Sequence, residues 1–244
     1  MNKSNLPTIS IDIPSGVNAD NGEVENIAVR ADLVVTMGLK KIGLLLGNSV
    51  NYIKDIKVVD ISIPRFMREN SRFKTHQIEL PDVKRFLPKH LKTAHKYTLG
   101  KICVLAGSVG YTGAAAMASH TAMRMGAGAV TLGTPSTIYP ILAKKLTEVM
   151  VHPLDSTIEG TVSFKAYPKI KKLLNWAEHL IIGCGLSLNQ ETVEVVWKVL
   201  FDFDIPMLLD ADGLTALSMN IKLLKKRKTK NLILTPHVGE FTRL

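Results

Sequence analysis

KICVLAGSVGYTGAAAMASHTAMRMGAG, residues 101–128, is the stretch on which the fold turns. Residues 102–106 are apolar, too few for a helix, and closed by a glycine, which predicts a short strand buried on both faces. Gly107, Gly110 and Gly113 then permit tight turns and close approach of backbone. Small residues follow over 112–125, with Thr112 placed to cap the helix they would form. A strand, a glycine turn and a helix are the opening of a βαβ unit.

The rhythm continues outward from there. AVTLGTP (129–135), HLIIGCG (179–185), IPMLLDA (205–211) and NLILTPH (231–237) read as further short strands, and residues 137–147, 164–176 and 191–201 as amphipathic helices. Strands spaced by helices predict a parallel sheet with right-handed crossovers and helices on both faces, an α/β fold of Rossmann type. Residues 8–64 differ in character: TISIDIP, ADLVVTMG and DIKVVDISIP are strand signals separated by Gly, Asn and Asp clusters, with almost no helical periodicity. That segment is too thin for a complete α/β layer. The polar stretch 65–80 reads as a linker, which gives the expected organisation 1–64, 65–80 and 81–244.

The 244 residues, 46% hydrophobic and 21% charged, suit a globular protein and not a disordered one. No apolar run approaches the roughly 18 to 20 residues that span a bilayer, and the first residues lack a signal-peptide core, so a cytoplasmic protein without membrane contact is expected. Cys103 and Cys184 sit in strand-like runs and read as reduced thiols. The net charge of +10 is densest in KLLKKRKTK (222–230). Its basic residues alternate with apolar ones as on a solvated helix face and lack interleaved aromatics, so no nucleic-acid partner is expected.

Ligands of such sheets bind at the carboxyl ends of the strands. Four strand ends carry suitable groups. GSVGYTG can seat an anion on a helix N-terminus or serve as a plain turn. GCGLSLN repeats the glycine pattern with Asn189 before a helix. In LLDADGL, Asp210 and Asp212 can hold a metal, orient a ligand hydroxyl, or cap the next helix. In TPHVGE, His237 can donate to a substrate oxygen or be structural.

In this order these motifs resemble the NAD(P)H-hydrate dehydratase domain of the ribokinase-like superfamily, from about His95 to Leu244. ISIDIPSGVNADNGEV, RADLVVTMGLKKIGLLLG and VVDISIP resemble the last third of an NAD(P)H-hydrate epimerase domain, fused ahead of the dehydratase in many bacteria. The resemblance implies dehydration of hydrated NADH or NADPH, with ADP or ATP and Mg²⁺ activating the hydroxyl, and a K⁺-binding epimerase that interconverts the hydrate epimers. It implies Ala114, Gly185 and His237 as substrate contacts with Gly239 and Glu240 in the same loop, Asp12 as an epimerase substrate contact, and Ser15 as a K⁺ ligand. It also implies a homo-oligomer in the full-length form.

Val238, Cys184 and Ser187 depart from the pattern, which usually has Pro, Pro and Gly there. The family's GxGD motif, which carries the catalytic base, is expected beyond Leu244, so no catalytic residue is assigned within the chain. The chain is accordingly expected to be the middle of a bifunctional repair enzyme. The competing readings are a small-molecule kinase of the same superfamily and a non-catalytic nucleotide-binding fragment.

Overall fold

The computed structural model describes residues 1–4, 6–69, 75–87, 93, 95, 96 and 98–244. The chain divides into two compact units, Met1–Leu87 and Pro88–Leu244. In the first, β1 (Ile9–Ile11), β2 (Ala31–Met37) and β3 (Ile53–Val59) form a parallel sheet in that order. Its core is small: Ala31, Val34 and Leu44 are buried, with Ile13, Ile53 and Ile56 packed against them. In the polar stretch 65–80 the described residues include one helical turn, α1 (Arg65–Arg68), and the start of α2 (Leu80–Phe86). A capping box between Glu79 and Asp82 starts α2, and Pro81 in its first turn sacrifices no helical hydrogen bond.

The second unit carries strands β4 (Lys101–Leu105), β5 (Ala129–Pro135), β6 (Met150–Leu154), β7 (His179–Ile182), β8 (Met207–Leu209) and β9 (Leu232–Leu234). Its helices are α3 (Thr112–Arg124), α4 (Tyr139–Lys145), α5 (Tyr167–Trp176), α6 (Gln190–Asp202), α7 (Asp212–Met219), α8 (Leu223–Lys226) and α9 (Val238–Arg243). Every strand pair is parallel, in the order β6-β5-β4-β7-β8-β9. The chain therefore starts in the middle, winds out through β5 and β6, and returns to β7 beside β4, where a ligand crevice is expected.

Side chains alternate along the strands and divide the core in two. Cys103 and Leu105 of β4 join Leu180, Ile182, Met207 and Leu209 in a cluster with α5, α6 and α7. Val104 and Ala106 face the other way, with Val130 and Leu132, onto α3 and α4. Helices thus lie on both faces of the sheet, as continuously apolar strands demand. The first face is covered across the sheet, but Ile233 of the edge strand β9 points away from it and is exposed.

β6 was not among the strands expected from sequence. MVHPL alternates poorly because it is an edge strand, where Pro153 deprives no inner ladder of a donor. Register then levels the strand ends: Leu105 lies opposite Gly133 and Ile182, Ile182 opposite Leu209, and Leu209 opposite Leu234. Gly183 follows directly on that row, against the backbone of the β8 end. Its φ is 128°, and a Cβ there would lie 1.9 Å from the Asp210 carbonyl oxygen and 2.7 Å from the Gly213 nitrogen. Gly183→Ala is expected to cost at least about 2 kcal/mol, from left-handed strain plus a backbone clash. Urea denaturation should show this as a lower midpoint at unchanged m-value.

Candidate functional site

The crevice between β4 and β7 is closed by backbone. The Gly107 N–H donates to the Cys184 carbonyl at 3.0 Å, the Gly183 N–H to the Leu105 carbonyl at 3.3 Å, and the Ser108 hydroxyl to the Gly185 carbonyl at 2.9 Å. Gly185 has φ 66°, and a Cβ on it would stand 2.7 Å from the Tyr111 Cβ and 3.1 Å from the Ala114 Cβ. Ala114 and Gly185, separated by 71 residues, are thus brought into apposition only because both lack bulk. Beside them opens a cavity of about 750 Å³, within the range of small-molecule sites. Its strand-end portion is lined by Ala114, Cys184, Gly185, Asp210 and Ala211, and it continues along α3 past Met117, Thr121 and Met125.

Two capping expectations fail, for local reasons. Tyr111, not Thr112, precedes the first turn of α3, and no side chain caps that turn. Its first amides are left available for an anion. Asp212 is the first residue of α7 and does not cap it. Its carboxylate instead accepts the Ser187 N–H at 2.8 Å, bracing the β7 loop, where Ser187 has φ 66°. Asn189 does cap α6, accepting the Glu191 N–H at 3.0 Å. Glu191 reaches back to accept hydrogen bonds from the Ser163 hydroxyl and the Phe164 N–H. These hold its carboxyl below the usual range, the Ser163 bond first.

His237, Gly239 and Glu240 do not line the cavity; they stand two strands from β7, at the end of β9. His237 is the N-cap of α9, its Nδ1 accepting the Gly239 N–H at 3.0 Å while Glu240 accepts the His237 N–H at 3.0 Å. In the neutral imidazole that leaves the proton on Nε2, a donor on an exposed ring. The two neighbourhoods are linked through Asp210, whose Oδ1 accepts the Thr235 hydroxyl at 3.0 Å. Cys184 donates weakly to Asp210 Oδ2 at 3.6 Å. Burial first, then the Asp210 charge, push the Cys184 thiol up to about 11. Cys103, wholly enclosed, is pushed up to about 12 by burial alone. Neither thiol has the depressed pKa that reactive cysteines require.

In the first unit, Asp12 follows β1 with φ 67°, a conformation costly for a non-glycine residue. Its Oδ1 accepts from the Thr36 hydroxyl at 3.1 Å, the Met37 N–H at 3.0 Å and the Lys41 ammonium. Lys41 and Thr36 were not singled out from sequence, because a lysine 29 residues downstream gives no local signal of its partner. Ser15 lies three residues on, exposed, with its carbonyl accepting the Val29 N–H at 2.9 Å. Among the described residues no three His, Cys, Asp or Glu side chains gather as a metal site.

A parallel, doubly covered sheet with its crevice at a reversal of strand order defines a small-molecule-binding α/β domain. Solved structures agree on the fold. A ribokinase-like superfamily protein from Enterococcus faecalis matches 65% of this chain and 52% of its own, with TM-score 0.56 and 22% identity. A protein from Streptococcus mutans matches 66% and 54%, with TM-score 0.56 and 24% identity.

The family model for NAD(P)H-hydrate dehydratase matches residues 102–244, and that for the YjeF-related protein N-terminus matches residues 1–43. Relatives named bifunctional NAD(P)H-hydrate repair enzyme are 36% identical in Thermofilum pendens and 34% in Moorella thermoacetica, each over 100% of this chain and 46% of the relative. The chain belongs to the NAD(P)H-hydrate dehydratase family. It spans about half the length of the curated relatives it matches.

The Asp12 cluster gives a pH prediction. Its carboxyl is held below the usual aspartate range, first by the Lys41 hydrogen bond and then by the Met37 N–H. A depressed folded pKa means that this contribution to stability is present above the unfolded pKa and is lost as pH falls through the folded one. In Lys41→Met the Asp12 midpoint should rise toward the ordinary carboxylate value near ~4. Side-chain carboxyl NMR titration of both proteins measures it, and identical midpoints would show that Lys41 does not set the Asp12 charge.

Proposed function

We propose that the second unit binds hydrated NADH or NADPH at the β4–β7 crevice, as the substrate-binding part of an ADP- or ATP-dependent NAD(P)H-hydrate dehydratase. The apposition of Ala114 and Gly185 beside the cavity carries this reading. A flat, partly saturated ring needs backbone at van der Waals distance, and only a small-on-small contact allows it. His237 then presents Nε2–H as a donor toward the ligand, with Gly239 and Glu240 fixing the ring through the cap. Seated on the amides of α3, a phosphate of the dinucleotide or of the adenine nucleotide would meet the positive end of the helix dipole.

Mg²⁺ would ride on nucleotide phosphates, in keeping with its preference for retaining water and phosphate oxygens over an all-protein cage. It would neutralise the charge that develops in phosphoryl transfer. The residues assigned here bind and orient the ligand; none of them is a catalytic base.

The first unit, on this proposal, is part of an epimerase-like domain, 1–64. Asp12, held ionised, contacts the hydrated ligand, and Ser15 supplies oxygen to K⁺. The Ser15 hydroxyl and the second lone pair of its carbonyl suit a hard monovalent cation. A cytoplasmic, homo-oligomeric full-length protein belongs to the same reading.

Calorimetric titration of the chain with hydrated NADH tests the proposal, and absorbance of the reduced nicotinamide, followed with ADP or ATP and Mg²⁺, tests turnover. Saturable binding is expected, and Gly185→Val should weaken it by roughly a hundredfold by pressing on Tyr111 and Ala114. Phosphorylation of a sugar or pyrimidine alcohol, without hydrate binding, would select the kinase reading instead.

A further inference from the structure

Asp210 is the single carboxylate among the described residues lining the cavity, and it stands at the strand end beside Cys184, Gly185 and Ala114. Its position is over-determined by backbone. The Asp210 N–H donates to the Ile182 carbonyl at 3.2 Å, its carbonyl accepts the Gly213 N–H at 2.9 Å, and Gly183 lacks the Cβ that would strike that carbonyl. The next residue, Ala211, sits at φ 48° and ψ −119°, a conformation that a non-glycine residue adopts only under constraint. Neither Asp210 nor Ala211 caps α7 through a side chain; their carbonyls accept the Gly213, Leu214 and Thr215 N–H groups, so the turn starts the helix by backbone and leaves the Asp210 carboxylate out of the cap.

The two carboxylate oxygens are occupied unequally. Oδ1 holds the Thr235 hydroxyl at 3.0 Å, an ordinary hydrogen bond. Among the described residues, Oδ2 has only the Cys184 thiol at 3.6 Å, a weak donor. A carboxylate aimed into a largely apolar cavity with one oxygen so poorly satisfied recruits a better donor when a ligand arrives. The donor must be neutral or cationic, and an anion in that place would be repelled.

We propose that Asp210 is a specificity-determining residue whose Oδ2 accepts a hydrogen bond from the carboxamide N–H of the hydrated nicotinamide. The proposal rests on the assignment of the crevice to that ligand. The Thr235 bond fixes the carboxylate plane so that Oδ2 faces the cavity, the thiol yields its place, and a nicotinic-acid ring is rejected by charge. The Asp210–Thr235 pair also transmits the position of β9, and with it the His237 loop, to the same ring.

Calorimetric titration of the whole chain with hydrated NADH, and with the hydrated analogue carrying a carboxylate in place of the carboxamide, tests the assignment. Wild type should prefer the amide by roughly tenfold to a hundredfold, the scale of one charge-assisted hydrogen bond. Asp210→Asn keeps an acceptor for Thr235 but can present N–H₂ to the cavity. It should lose about tenfold on the amide and bring the two ligands within about threefold of each other.

A purely structural Asp210 would not move the ratio between ligands. Unchanged affinity and preference in Asp210→Asn would overturn the proposal while leaving the crevice assignment standing. No binding of either ligand to wild type would overturn both. Should Asp210→Asn fail to fold, wild type still decides, since equal affinity for amide and acid would sink the role given to Asp210.

Discussion

Everything in the second unit depends on how closely two backbone loops approach across the β4–β7 crevice. Gly107 and Gly183 exchange hydrogen bonds with the neighbouring strand end, and Gly185 abuts Tyr111 and Ala114 with no room for a methyl group. Parallel strands alone would leave a gap where the winding reverses. The glycines close its floor and leave its mouth open, and the small residues of α3 keep the wall low. One constraint thereby joins the ends of β4 and β7 and sets the floor of the cavity beside them.

The constraint spreads by hydrogen bonds from loop to loop. Asp212 braces the β7 loop through the Ser187 N–H, Asp210 joins β8 to β9 through Thr235, and Glu191 ties the start of α6 to Ser163 and Phe164. Each carboxylate connects segments far apart in sequence. The strand ends are therefore held in a common frame without a metal cluster among the described residues. Such a frame suits a site that orients a ligand within fractions of an ångström.

Much of this was legible before any coordinates. Short apolar runs closed by glycine gave the strands, and residues 112–125 and 191–201 gave helices within a residue or two of α3 and α6. Ala114 and Gly185 could be named because their motifs are local. β6 was hidden because Pro153 and a half-exposed edge break the apolar pattern. Asp212 and Thr112 were assigned to caps that their own helices do not use, since a cap is decided by φ and ψ at the preceding residue. Lys41 and Thr235 were silent, and the choice among the roles open to Asp210 was not legible, for a different reason: each acts on a partner 25 or more residues away, and only the fold supplies that partner.

His237 shows why a lone loop histidine need not be either structural or functional. As N-cap its Nδ1 is spent on the Gly239 N–H, and Glu240 completes the box from a nearly buried position. The cap costs the ring its freedom to turn, and in the neutral form it also chooses the tautomer. Nε2 then lies on the exposed side of the ring, 3.6 Å from Glu240 Oε1. A histidine free of the cap would sample many rotamers and pay their entropy on binding. The cap thus settles the ring's orientation whether or not a ligand is bound.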